Sequence, residues 1–253
     1  MSKRREKDKR DTRPHIMVTV FCGQERTGWI QPHLSTALAT AFLSYSDRYL
    51  WSYAPMFAIH PVTAARNRAV VAMEELELRT GRPVAWLSMW DNDIAPQPYV
   101  WDVLATAPDE ADIIILPYWV WSDLDVPMVC LGQWKDGMMV TPAPGEIPSE
   151  GWSETGVGGT GAMFIRGRVF KDGRLTKPFF KIKYDDLKAQ KVSEDIYFTG
   201  MCKDAGLRIF TNTSFVCGHY RSLDIAQINA GMARLFAKYQ KLQEGKDEGT
   251  AKS

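Results

Sequence analysis

Two carboxylates, Asp91 and Asp93, follow the apolar run Val84-Ala-Trp-Leu-Ser-Met-Trp90, with only Asn92 between them. Such a run reads as a buried strand. Carboxylates just past the carboxyl end of a strand stand where open α/β sheets bind ligands. Side chains two residues apart in an extended segment leave the same side of the backbone. Asp91 and Asp93 therefore form a pair of hard oxygen donors suited to Mg²⁺ or Mn²⁺ on a phosphorylated substrate. An Asx-rich turn after a strand would use the same residue types.

Four other groups carry chemistry, each beside a plainer reading. Ser193-Glu194-Asp195 precedes Ile196-Tyr-Phe198. The first turn of a helix favours carboxylates through its dipole, and the same place can aim a general base at a hydroxyl. His219 follows the short apolar stretch Phe215-Val-Cys-Gly218; it is either a structural histidine or the completion of a metal site begun by Asp93. Arg66-Asn67 lies inside a helical stretch, where an arginine is a surface salt-bridge partner unless the helix faces a phosphate. Gly156-Val-Gly158-Gly-Thr-Gly161 matches G-x-G-x-x-G in letters. It follows a polar loop and precedes a strand, so it is not a dinucleotide fingerprint. Its glycines instead let backbone approach a ligand or a neighbouring strand.

The elements that must position these groups alternate along the first half of the chain. His15–Cys22 is rich in β-branched residues and reads as the first strand. Residues 34–43 are helical in composition, and 56–60 form a short strand. Residues 61–79 form a helix with Pro61 near its start and Gly81 and Pro83 beyond its end. Val84–Met89 is a buried strand, 97–105 a short helix and 112–118 another strand. This alternation predicts a parallel, doubly wound sheet. The middle third differs. Residues 128–131 and 138–140, around Lys135-Asp136-Gly137, predict a hairpin, and 145–154 a loop. A strand at 162–165, a helix at 194–205 closed by Gly206, short strands at 207–211 and 215–218, and an amphipathic helix at 224–242 complete the pattern.

A chain of 253 residues with 45% hydrophobic and 24% charged residues has the composition of an ordinary globular protein. No apolar run approaches the ~20 residues that span a bilayer, and the charged N-terminus lacks the apolar core of a signal peptide. A cytoplasmic location follows as the expectation, in which Asn212-Thr213-Ser214 has no meaning as a glycosylation acceptor. Cys22, Cys130, Cys202 and Cys217 form no C-x-x-C pair, which excludes zinc-ribbon and thioredoxin-like readings. Residues 1–13 carry seven basic and three acidic side chains, a tail of +4 on a body of −3. Such a tail is a solvated, disordered end or a source of sequence-independent affinity for nucleic acid. The organisation expected is a basic tail at 1–13, one domain at 14–237 and a polar tail at 238–253.

Taken in order, the motifs resemble those of the GT-A fold glycosyltransferases, in particular short stand-alone members akin to the large inverting family 2, some of them phage-encoded. The resemblance spans roughly residues 15–222 and rests on SMWDNDI, GGTGAMFIRGRVF and SEDIYFTGMCKDAGLRIFTNTSFVCGH. It implies an α/β fold: a Rossmann-like, mostly parallel central sheet, helices on both faces and a small antiparallel element on the acceptor side. It further implies that Asp93 binds a divalent metal, Mn²⁺ or Mg²⁺, and that Asp91 contacts the ribose or the metal shell. His219 would complete the coordination. Arg66 and Asn67 would approach the nucleotide of a UDP-glucose-like donor. Asp195 would be the base, and Glu194, Trp152, Gly159 and Gly161 would face the acceptor. The chain departs from the family pattern at Phe21-Cys22-Gly23, where a proline-containing nucleotide loop is usual, and throughout 119–153.

The acceptor is the most open point. Trp119, Trp121, Trp134 and Trp152 could stack on sugars or bases. With the basic tail, a hydroxymethylated base in DNA is one candidate acceptor; a saccharide, lipid-linked or protein hydroxyl is the other. A nucleotidyltransferase would also use carboxylate-bound Mg²⁺, but no glycine- and lysine-rich triphosphate loop is present near the N-terminus. A non-catalytic sugar-nucleotide or nucleic-acid binding module is the third class.

Overall fold

The computed structural model describes residues 11–22, 30–121, 127–135, 138–141, 150–184, 190–220, 232–234 and 236–237. In chain order its first elements are β1 (His15–Cys22), α1 (Pro32–Ser44), β2 (Leu50–Tyr53), β3 (Met56–Phe57), α2 (Val62–Thr80), β4 (Val84–Asp91), β5 (Ile94–Ala95), α3 (Asp102–Ala105) and β6 (Ile113–Ile115). A series of short strands follows: β7 (Trp119–Trp121), β8 (Pro127–Val129), β9 (Leu131–Lys135), β10 (Met138–Val140), β11 (Trp152–Glu154) and β12 (Val157–Gly158). Then come β13 (Ala162–Arg166), a 3-10 helix at Gly167–Lys171, β14 (Lys183–Tyr184), β15 (Gln190–Val192), α4 (Glu194–Asp204), β16 (Ile209–Asn212) and β17 (Gly218–His219).

An eight-stranded sheet forms the centre, in the order β11-β16-β6-β13-β4-β1-β2, with β3 also on β1. β1 runs parallel to β2, β3 and β4, and β16 runs parallel to β6. β13 is antiparallel to both of its neighbours, and β11 closes one edge antiparallel to β16. This is the expected α/β architecture, with helices on both faces and small antiparallel sheets beside the main one. The small sheets are β10-β9-β12, β7-β8, β5-β17 and β14-β15.

Both faces of the sheet are covered, which is why β1 and β4 are apolar almost without alternation. Ile16, Val18 and Val20 point to one side with Trp86 and Trp90. Met17 and Phe21 point to the other with Leu87 and Met89. α1 covers the first side through Leu34, Ala37, Leu38 and Ala41, the spacing of one helical face. Behind it, the Trp101 ring meets Trp51, Trp90 and Phe164 edge-on at 5.0, 5.8 and 5.7 Å between centroids, and its indole N–H donates to Ala37 O at 2.7 Å. A buried indole of this kind keeps its hydrogen bond while filling the core. α2 covers the second side through Ala65, Ala69, Val70, Met73 and Leu76, joined by Phe198 and Cys202 of α4. α2 begins at Pro61 and ends where Gly81 turns left-handed at φ +64°. Gly206, at φ +74°, does the same after α4.

Several boundaries differ from those expected. β4 continues through Asp91, so the first carboxylate belongs to the strand rather than to the turn after it. The expected helix at 97–105 is a series of turns followed by α3 alone. The end of the expected loop at 145–154 is an edge strand, β11, because its backbone completes the ladder of β16. The expected strand at 215–218 is a 3-10 turn at Thr213–Phe215 followed by β17. Of the expected helix at 224–242, residues 232–234 and 236–237 are helical and the rest lies outside the described residues, as do residues 1–10 and 238–253 of the tails. Among the described residues, no helix is long and apolar enough to cross a membrane.

Candidate active site

A cleft of about 360 Å³ opens beside the carboxyl end of β4. Asp91, Asp93, Ser193, Asp195 and His219 line it together with Val120, Met128, Val129 and Leu131. Three of the expected site groups, far apart in sequence, thus face one space.

Asp93 and His219 are brought together by backbone pairing. β17 lies antiparallel to β5, with His219 opposite Ile94, and the Tyr220 N–H donates to Asp93 O at 2.9 Å. His219 Nε2 then stands 3.3 Å from Asp93 Oδ2, and Nδ1 stands 2.9 Å from the Trp119 carbonyl. A carbonyl only accepts, so Nδ1 carries the hydrogen; in a neutral ring Nε2 then presents a lone pair to a carboxylate oxygen. Two acceptors at that distance are satisfied by a cation or proton between them. Cis ligands at ~2.1 Å around an octahedral ion lie about 3 Å apart. A backbone carbonyl holding the far nitrogen is the usual way a metal-bound histidine is oriented. Among the described residues no group of three or more His, Cys, Asp or Glu side chains forms a complete metal cage. Two protein ligands with the rest supplied by a diphosphate is, however, how Mg²⁺ is commonly bound. The residues present fit such an ion.

Asp91 is held differently, so the expected set of Asp91, Asp93 and His219 does not close around one point. Arg66 projects from the buried face of α2 and is 3% exposed. Its Nη2 donates to Asp91 Oδ1 and Oδ2 at 2.9 and 3.3 Å, its Nε to Glu194 Oε1 at 3.3 Å and its Nη1 to Thr160 O at 3.5 Å. The guanidinium lies 4.8 Å from the centre of the Phe21 ring. Burial opposes the arginine's charge, but Asp91 and Glu194 outweigh it and hold its pKa above the ordinary value. Burial raises Glu194, with Arg66 pulling the other way.

Asp195 lies in the first turn of α4 and lines the cleft. Its Oδ1 accepts from the Ser193 hydroxyl and from the Ile196 N–H at 2.8 Å. Glu194, one residue earlier, turns to Arg66 instead. Asn67 also turns elsewhere. Its Nδ2 donates to Thr63 O and Phe180 O at 2.7 and 2.8 Å, and its Oδ1 accepts from the Phe179 and Phe180 N–H groups at 3.0 and 3.3 Å. It clamps that segment to α2 rather than facing the cleft. Trp152 lies in edge strand β11, half-buried against the first core cluster and away from the cleft lining.

Gly159 and Gly161 give a structural reason for the glycine cluster. A Cβ on Gly159 would collide with Cys130 Sγ and the Tyr118 hydroxyl, and one on Gly161 would crowd the Tyr118 ring and Asp91 Oδ2. The Gly161 N–H donates to Tyr118 Oη at 3.2 Å, and the Gly161 carbonyl accepts from the Asp91 N–H at 2.9 Å. Tyr118 is the residue that motif reading missed. It packs edge-on against His219 at 5.4 Å, and burial pushes its hydroxyl pKa well above 10. Its position just beyond β6, at the same end of the sheet as Asp91, was the available signal.

No family model matches the chain, and no curated protein matches it in sequence. Solved structures do match. A197 from STIV is 15% identical, over 83% of this chain and 86% of that one, with a TM-score of 0.50. The likeness is one of fold. GalNAc-T7, solved with UDP, GalNAc and Mn²⁺, is 10% identical over 83% of this chain, with a TM-score of 0.49; the chain spans 44% of that protein's length. Apo UDP-glucose pyrophosphorylase is 13% identical over 88% of this chain and 82% of its own, with a TM-score of 0.39.

Proposed function

We propose that this chain is a metal-dependent glycosyltransferase that moves a sugar from a nucleotide-diphosphate donor, a UDP-sugar, to an acceptor hydroxyl with inversion. One observation carries the reading: Asp93 and His219, with Oδ2 and Nε2 3.3 Å apart, share a cleft with Asp195 at the carboxyl end of β4. The motif order that resembles family 2 enzymes supports it independently.

Asp93 and His219 would hold Mn²⁺ or Mg²⁺. When bound, that ion supplies Lewis-acid stabilisation of negative charge on the diphosphate. The chain's own residues do the rest. Asp195 takes the proton of the acceptor hydroxyl. The hydroxyl oxygen forms the new bond to the anomeric carbon, and the bond from that carbon to the β-phosphate oxygen breaks, releasing the nucleotide diphosphate. Because Oδ1 of Asp195 is already taken by Ser193 and Ile196, Oδ2 is the oxygen that receives the proton. The two backbone and hydroxyl donors fix the carboxylate's orientation, which is what a general base needs. Arg66 pairs with Asp91 and Glu194 and offsets one of their two negative charges, which lessens the repulsion that a diphosphate would meet there.

The test is a release assay on a panel of UDP- and GDP-sugars, with Mn²⁺ or with EDTA. UDP set free only with the metal is the expected result. Full activity in EDTA, or unchanged activity after Asp93→Ala, removes the metal from the mechanism. Release of pyrophosphate instead of UDP would make the chain a nucleotidyltransferase.

A further inference from the structure

Tyr118 lines the cleft yet is 6% exposed, and it touches both halves of the candidate site. On one side its ring meets the His219 imidazole at 5.4 Å between centroids and 70° between planes. On the other its Oη accepts from the Gly161 N–H at 3.2 Å. A Cβ at Gly161 would stand 2.8 Å from that oxygen and 3.2 Å from Asp91 Oδ2, so Gly161 is the thin contact between the phenol and the first carboxylate. The backbone of the same segment is pinned as well. Tyr118 bridges Cys217 in parallel, the Cys217 N–H donates to Pro117 O at 2.8 Å, and the Tyr118 carbonyl accepts from the Cys130 N–H at 2.9 Å.

His219 needs such support. It ends β17, a strand of two residues, and two side-chain torsions separate its ring from the backbone. The Trp119 carbonyl holds Nδ1 at 2.9 Å. That hydrogen bond decides which nitrogen is turned toward Asp93, but by itself it leaves the ring free to pivot about the N–H···O axis. An aromatic ring set across the imidazole opposes the pivot, and edge-on contact is the arrangement aromatic pairs favour. Resting on the metal reading of Asp93 and His219, we infer that Tyr118 is a positioning residue. Its ring fixes the His219 imidazole where Nε2 meets the ion, and its hydroxyl, tied to Gly161, fixes the ring. Groups that orient a metal-bound histidine are worth about 10- to 100-fold in metal affinity.

The experiment measures Mn²⁺ binding to the full chain, alone and with UDP, by electron paramagnetic resonance. Spin-echo modulation reads the nitrogen coupling of a bound imidazole. The parent chain is expected to show that coupling. Tyr118→Phe keeps the ring and should keep both the affinity and the coupling. Tyr118→Leu fills the space without a ring; it should weaken Mn²⁺ about 10- to 100-fold and lose the coupling. Gly161→Ala crowds the phenol from its hydroxyl end and should act in the same direction; it decides the matter if thermal melting shows that Tyr118→Leu does not fold. Lower melting temperatures with affinity and coupling unchanged would make Tyr118 a packing residue and overturn the inference. So would a Tyr118→Phe chain as impaired as Tyr118→Leu. A parent chain that binds no Mn²⁺, or binds it without nitrogen coupling, removes His219 from the metal, and the metal reading then falls together with the inference.

Discussion

Two arginines in this protein each grip two carboxylates, in opposite settings. Arg66 reaches Asp91 at 2.9 Å and Glu194 at 3.3 Å with a side chain 3% exposed. Arg208 reaches Glu154 at 2.9 Å and Glu110 at 3.2 Å with a side chain 44% exposed. The contact distances are nearly the same, yet the physics is not. Facing charges at about 4 Å are worth ~1 kcal/mol in water and several times that in a protein's lower effective dielectric. The buried cluster also carries the desolvation of its members, and replacing such clusters with apolar packing is often neutral or stabilising. The surface cluster needs no further justification than local charge pairing. The interior one stands where a hydrophobic side chain would have been the simpler choice, and it lies directly beneath the cleft. The difference teaches that the same hydrogen-bonding pattern marks a site only where burial makes it expensive.

That contrast is sharpest in turnover. Asp195→Asn in the interior cluster's cleft should lower the rate about 10²- to 10⁴-fold, the usual contribution of a positioned base, with donor affinity retained. Glu154→Gln in the surface cluster should leave the rate unchanged. Steady-state UDP release with both variants, and a normal Asp195→Asn rate in particular, would reduce Asp195 to a carboxylate that merely starts α4.

Stability separates the two arginines next. Arg66→Ala leaves Asp91 and Glu194 without their shared partner, and breaking a buried pair in this way removes about 3–5 kcal/mol. Urea denaturation reads it directly. Arg208→Ala should be hard to tell from the parent chain in the same titration, because exposed pairs add little. Comparable losses at both positions would erase the distinction. Arg66→Lys should fall between the parent and Arg66→Ala: it keeps the charge but not the planar fork that spans two carboxylates and Thr160 O at once.

Arg66 also shows how much of the site the sequence made legible. β1 was readable to the residue, because a sheet covered on both faces writes a continuous β-branched run. α2 was readable within one residue at each end from Pro61 and Gly81. Within α2, however, Arg66 occupies the stripe of Ala65, Ala69, Val70 and Met73. A charge on an apolar stripe was a visible sign of a buried partner that plain motif matching passed over. Asn67, its neighbour in the same motif, faces Phe179 and Phe180, a contact over long sequence separation that no local pattern encodes. The meeting of Asp93 with His219 depends on β5 and β17, two strands of two residues each, too short to carry a periodicity. The gathering of Val120, Met128, Val129 and Val157 at the cleft was illegible for the same reason, since β7, β8 and β12 are each two or three residues long.

The smallest effect tests the interior cluster from its other end. Burial raises the Glu194 pKa above its ordinary 4.5, and Arg66 offsets only part of that. Asp195, the next residue, adds to the rise. A carboxyl raised in this way binds its proton more tightly folded than unfolded. Between 4.5 and its folded value the native state therefore holds more protons than the unfolded chain, and stability falls as pH rises through that window. Glu194→Gln removes the titration and keeps a side chain able to accept from Arg66 Nε. The stability of the parent chain relative to Glu194→Gln should therefore decline from mildly acidic to neutral pH. Glu154 of the Arg208 cluster should not behave so: its pKa is lowered, first by its hydrogen bond to Arg208, and gives the opposite slope. Paired urea titrations at pH 4.5 and pH 7 decide the matter. A difference that grows with pH would mean that Arg66, not burial, governs Glu194, and that the interior cluster is only a better-packed version of the one outside.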